Sequence, residues 1–241
     1  MKDQYFGDIN DFLKYGLLRG LTASTRLSLA VCWMLTPAAN RADGRKTQYL
    51  SAPDRWARHD QELFEALREA VLARRERSIT AAAARGILPA ARFFSSIVPD
   101  DQRLREGFFA DFRLTSATAD LVFFDPDNGM QVRSVPQGRR GSGKYLRWAE
   151  VAATSGDGHS ILIYQHFPHR ERAPFIRQMA GDLLLCSGAA EAYVFRTPHV
   201  GFFLLVQERH RAIVGPRVEV VSRNWAPHIV LADHRVVGSG R

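Results

Sequence analysis

Asp125-Pro126-Asp127-Asn128 puts three polar side chains into four positions, directly after the apolar run Leu121-Val122-Phe123-Phe124. A carboxylate at the end of a buried strand is costly unless a partner or ligand meets it. The candidate catalytic residues are therefore Asp125, Asp127 and Asn128. On residue chemistry alone, Asp125 and Asp127 with Asp43 and His166 supply hard oxygen ligands and one imidazole, a set that suits Mg²⁺ or Mn²⁺. Such a cation would activate water and neutralise phosphate charge, as in a divalent-metal-dependent nuclease or phosphoesterase. The plainer alternative is a tight turn, set by Pro126 and Gly129, whose Asp and Asn side chains bond only their own backbone.

Weaker signals surround this one. Residues 138–144 match the spacing Gly, four residues, Gly, Lys, but no buried strand precedes them and Tyr145 stands where a Mg²⁺-binding hydroxyl is needed, so a nucleotide cradle is not expected. Lys144 is expected on the loop beside the Asp125 turn. His166, His169 and His199 suit acid-base work or ordinary surface hydrogen bonding. Trp33 and Trp148 read as core.

The elements that must position these residues follow from periodicity. Phe12, Leu13, Leu17, Leu18 and Leu21 recur at helical spacing behind Asp8, Asn10 and Asp11, which predicts a capped helix over 11–24. Residues 27–35 form a continuous apolar run, the pattern of a strand covered on both faces. A long loop over 36–58, with a short element near 47–50, precedes an amphipathic helix over 60–77. Strands are expected at 93–98, 121–124, 160–165, 190–196 and 200–207, with helices from 99 to about 113, over 145–153 and over 170–185. The last two strands are joined by only Thr197-Pro198-His199 and must pair antiparallel. The β-branched tail, 213–237, broken by Pro216 and Pro227, predicts a small C-terminal β extension. Alternating strands and helices give one α/β domain over 1–241 (a helical opening 1–24, a Rossmann-like, mostly parallel core 25–210 and an extension 211–241), with ligands beyond the carboxyl ends of the strands.

Composition sets the outer bounds. The chain has 241 residues, 46% hydrophobic and 24% charged, within reach of a single domain with a full core. Its formal charge of +8, from 33 Lys and Arg against 25 Asp and Glu, suits an anionic partner, nucleic acid first. No apolar run approaches the roughly 20 residues a membrane span needs, and charged residues at positions 2, 3, 8 and 11 interrupt any signal-peptide core. The expected location is the cytoplasm, with Cys32 and Cys186 reduced. Oligomeric state is not legible.

Two segments resemble a known family. Gly7-Asp8-Ile9-Asn10-Asp11-Phe12-Leu13-Lys14-Tyr15 is similar to the stretch that opens the large-subunit ribosomal-RNA adenine-N6 methyltransferases, and Asp125-Pro126-Asp127-Asn128 stands where adenine-N6 methyltransferases carry Asp or Asn, Pro, Pro and an aromatic. The chain also resembles a group of bacterial proteins of unknown function in these segments and in Asp43-Gly44-Arg45. The resemblance is patchy, over about residues 5–207. It implies a methyltransferase-like fold, S-adenosylmethionine as cofactor and a nucleic-acid or nucleobase-containing substrate. Gly7, Asp11 and Lys14, with Asn40 and Asp43 after the first strand, would form the cofactor site. Asp125 and the Pro126 carbonyl would accept hydrogen bonds from the target amino group, orienting its lone pair for attack. Asp127 and Asn128 replace the family's second proline and stacking aromatic, and 36–40 lacks its glycines. A third reading is a non-catalytic domain that binds nucleic acid or a nucleotide.

Overall fold

The computed structural model describes residues 3–37 and 46–232 and the backbone of a last strand at Val236–Val237. Strands β1 (Leu29–Cys32), β2 (Arg92–Phe94), β3 (Leu121–Phe124) and β6 (Ser160–His166) pair in parallel, with β1 between β2 and β3 and β3 next to β6. Beyond β6 lies β8 (Val200–Val206), antiparallel to it, and beyond β8 lies β7 (Glu191–Arg196), so the reversed strand sits between two strands of like direction. The outer edge of β7 is closed by β9 (Val230–Leu231) and β10 (Val236–Val237). A separate two-stranded pair joins β4 (Gly129–Met130) to β5 (Tyr145–Leu146).

Helices cover both faces of the sheet, which explains why the strands read as unbroken apolar runs rather than alternating ones. One face packs α1 (Ile9–Thr22), α3 (Gln61–Arg68), α4 (Thr80–Ala84) and α8 (Arg211–Asn224) on Val31, Trp33, Leu121, Phe123, Leu162 and Tyr164. The other packs α5 (Gln102–Ser116), α6 (Trp148–Gly156) and α7 (Arg172–Ser187) on Ala30, Cys32, Val122, Phe124, Ile161 and Ile163. The short α2 (Pro53–Trp56) lies between β1 and α3 in sequence. Caps fall where short polar residues precede helices: Asp8, Asp60 and Asp101 accept from backbone N–H groups at the starts of α1, α3 and α5.

Several boundaries differ from the sequence reading. The tail is not mainly β. Its β-branched residues Val214, Val218 and Val221 are buried at helical spacing, and Arg211–Asn224 is a helix that contains Pro216. Packing against α1 overrides local preference there, and Gly16 allows the close approach, because a Cβ would collide with the Trp225 indole. Among the described residues, two short strands at 230–231 and 236–237 remain of the expected extension. The helix expected at 145–153 starts at Trp148, since Tyr145 and Leu146 pair with β4. The helix expected to reach 77 ends in a π turn at Glu69–Ala73. Among the described residues, no helix is long and apolar enough to cross a membrane. Cys32 is buried, Cys186 half-buried, and both are free thiols.

Candidate functional site

The site is set by strand parity. Leu121 and Phe123 face the α1 layer, so Asp125, two residues on, faces it as well, as do Trp33 after β1 and Tyr164 in β6. α1 brings Lys14 into this space. Lys14 Nζ lies 2.7 Å from Asp125 Oδ2 and 2.7 Å from Asp11 Oδ1, and all three side chains are buried. Asp11 Oδ2 accepts from Gly7 N at 3.1 Å and from the Tyr15 hydroxyl at 3.3 Å. The ammonium also lies over the rings of Trp33, at 5.1 Å, and Tyr15, at 5.3 Å. An aspartate one helical turn before Lys14 and a second aspartate on the sheet thus share one cation.

Electrostatics in this space follow from burial and the surplus of negative charge. Burial pushes the Asp11 carboxyl up to about 6 against the pull of Lys14. For Lys14, burial acts downward, but Asp11 and Asp125 outweigh it and raise the ammonium above its ordinary range. Tyr15 and Tyr164 are raised well above theirs, by burial first and then by these carboxylates. Burial lowers the pKa of His166, with Asp125 and Asp127 opposing it. Its ring still reaches solvent and packs edge-on against Tyr164 at 5.1 Å.

The turn after β3 is held from three sides. Asp125 N donates to Cys32 O at 3.1 Å and Asn128 N to Lys144 O at 3.0 Å. Gln165 Oε1 accepts from Met130 N at 2.7 Å, while its Nε2 donates to His166 O. Gly129 adopts φ +92°, and a Cβ there would strike the Gln165 amide. Asp127 Oδ2 accepts from Thr36 Oγ1 at 2.5 Å, which ties the turn to the segment after β1. In that segment Met34, buried, has φ +45°, a left-handed conformation at the place where a glycine turn would be unstrained. The fully buried Arg105 clamps the return loop, with Nε and Nη2 on Glu150 at 2.6 and 2.8 Å and Nη2 on Tyr145 O at 2.7 Å. Asp100 accepts from Gly141 N and Gly143 N.

Of the residues singled out in the sequence, Lys14, Asp11 and Asp125 meet directly. Asp127 and His166 lie at the same end of the sheet, and the Asn128 side chain is exposed. Gly7 is buried with its N–H on Asp11 and its carbonyl accepting from Tyr49, so its polar groups are engaged within the chain. Asn40 and Asp43 lie outside the described residues. Lys144 is exposed beside the turn, and its carbonyl, not its ammonium, makes the contact. Of the alternative cation set, Asp125, Asp127 and His166 share the strand ends, yet among the described residues no three acidic, imidazole or thiol groups converge as metal ligands. Sequence reading missed Thr36, Tyr15, Gln165 as the brace of the turn, and Arg105 with Glu150. Gln165 alone carried a signal, as a polar residue at the end of an apolar strand.

β1 is the point where the strand order reverses, with β2 on one side and β3 on the other; open α/β sheets bind ligands beyond the carboxyl end of such a strand, and Thr36 and the Asp125 turn lie at that end. No protein-family model and no curated protein matches the sequence.

Proposed function

We propose that this chain is an S-adenosylmethionine-dependent methyltransferase acting on an amino group of a nucleic acid or other nucleobase-containing substrate. The observation that carries the reading is the sheet itself, in the order β2-β1-β3-β6-β8-β7 with β8 reversed between two parallel strands. That closure is what the sequence resemblance implied. Support also comes from the contact between Lys14 in the opening motif and Asp125 in the strand-end motif, 111 residues apart.

Asp127 and the exposed Ser95 and Ser96 after β2 are the polar groups at the reversal point that a bound cofactor would meet. When bound, S-adenosylmethionine supplies an electrophilic methyl group. The chain's own residues do the positioning. Asp125 accepts a hydrogen bond from the substrate amine and directs its lone pair, with the Pro126 carbonyl as second acceptor. Lys14 fixes the Asp125 carboxylate in one orientation. His166, at the end of β6 and with its pKa lowered by partial burial, is the base offered for the proton the amine releases.

Calorimetric titration with S-adenosylmethionine and S-adenosylhomocysteine, together with transfer of a labelled methyl group to RNA, DNA and nucleotides, tests this reading. Saturable cofactor binding and label transfer that require Asp125 support it. Absence of cofactor binding at millimolar concentration refutes it.

A further inference from the structure

A second feature lies away from the Lys14 centre. The loop between β4 and α6 folds over a recess of about 140 Å³ lined by Gln131, Arg133, Gln137, Ser142, Tyr145 and Arg147, among others. Arg147 is the decisive residue. Its side chain is about nine-tenths buried, and its Nη2 is buried with no hydrogen-bond partner. A buried guanidinium nitrogen without an acceptor is costly.

The local charge does not balance. Glu150 is the carboxylate nearest Arg147, at 3.9 Å from Nε, and it is already held by both Nε and Nη2 of the buried Arg105. Two guanidiniums therefore share one carboxylate. Asp100, which does not line the recess, is occupied by the backbone N–H groups of Gly141 and Gly143 and by the Ser142 hydroxyl. Glu106 is exposed and reaches Arg147 only at a distance. Arg133 adds a cation at the mouth of the recess with no ion pair among the described residues. Burial and the neighbouring Arg105 together lower the Arg147 pKa, which is the response of a cation lacking its counter-charge.

We propose that this recess is an anion site that takes a phosphate group, with Arg147 as the buried donor, Arg133 as the outer one, and Gln131 and Gln137 on the polar wall. A planar guanidinium suits the tetrahedral oxyanion, and the volume limits the ligand to one such group rather than a whole nucleotide. The phosphate is either free or part of a polynucleotide backbone. The inference does not depend on the methyltransferase reading, since it uses none of the residues around Lys14.

The test is calorimetric titration of the full chain with sodium phosphate against sodium chloride at matched ionic strength, for the wild type, Arg147→Gln and Gln137→Glu. One saturable phosphate site is expected, at least tenfold weaker in Arg147→Gln. Gln137→Glu places a carboxylate in the wall, and it is expected to abolish phosphate binding while raising the melting temperature of the free protein. Because Gln137 is exposed, that variant decides the matter even where Arg147→Gln does not fold. A short single-stranded oligonucleotide that displaces phosphate identifies a backbone phosphate as the ligand, and failure to displace it identifies free phosphate. No saturable phosphate binding in the wild type, or undiminished binding in Gln137→Glu, overturns the proposal.

Discussion

Replacing Lys14 by methionine removes the cation that two buried carboxylates share and leaves a side chain of similar length. Each carboxylate oxygen lies 2.7 Å from Nζ, so the two are no further apart than twice that, about 5.4 Å. At an effective dielectric of about 20, two unit charges at that separation repel by about 3 kcal/mol. Breaking a buried pair by removing one partner costs about 3–5 kcal/mol in general, so the variant is expected to lose that much stability at pH 8. The loss has a pH signature. Asp11, already pushed up to about 6 with Lys14 present, takes up a proton more readily once the ammonium is gone. The deficit therefore shrinks as pH falls from 8 to 5.5, and a second change, Asp11→Asn, recovers most of it at pH 8. Urea unfolding of the wild type, Lys14→Met and the double variant at both pH values measures this. A deficit under about 1 kcal/mol at pH 8, or one equal at the two pH values, would refute the shared-cation account.

Asp11 also shapes the pH dependence of the wild type. A carboxyl raised from 3.8 to about 6 contributes stability that is present below pH 3.8 and lost as pH rises through about 6, worth about 3 kcal/mol; Asp11→Asn should flatten that part of the urea-midpoint profile. Under the proposed function, Asp125→Ala should abolish label transfer to the accepting substrate, whereas Asp127→Ala, which removes the Thr36 contact, should lower it modestly; equal losses would point instead to a cation held by both carboxylates. Gln165→Leu strips the acceptor from buried Met130 N, so thermal unfolding should report a loss of about 1–3 kcal/mol, and hydrogen exchange at Gly129 and Met130 should accelerate.

How much of this was legible before the fold is clearest residue by residue. The run Leu121 to Phe124 and the polar residues after it located the strand end, because covered parallel strands announce themselves as uninterrupted apolar runs. Asp8 and Asp11 were readable as helix-start residues, but not that one would cap the helix and the other would serve Lys14. That division depends on rotation about the α1 axis, which the docking of α1 on the sheet decides. α8 was misread because Ile213, Val214, Val218, Val220 and Val221 carry strand preference, and only burial against α1 selects the helix. The pairing of Arg105 with Glu150 needs the first turns of α5 and α6, 45 residues apart in sequence, to meet, a relation between elements that no local pattern encodes.

The buried triad is not explained by stability. An apolar set of similar volume would hold α1 against the sheet as well or better, since desolvation of three charged groups offsets much of their mutual attraction. What an apolar set cannot supply is a carboxylate fixed at the carboxyl end of β3. Lys14 reaches Asp125 from a helix whose placement is set independently by α3 and by α8, through the contacts of Phe12 with Phe64 and Trp225. The Asp125 carboxylate is therefore held from the helical layer. Asp127, beside it, is held instead by Thr36 from the β1 side. Two carboxylates on either side of Pro126 are thus anchored to different parts of the fold, one through the helical layer and one through the segment after β1, and each change can be made without removing the other's anchor.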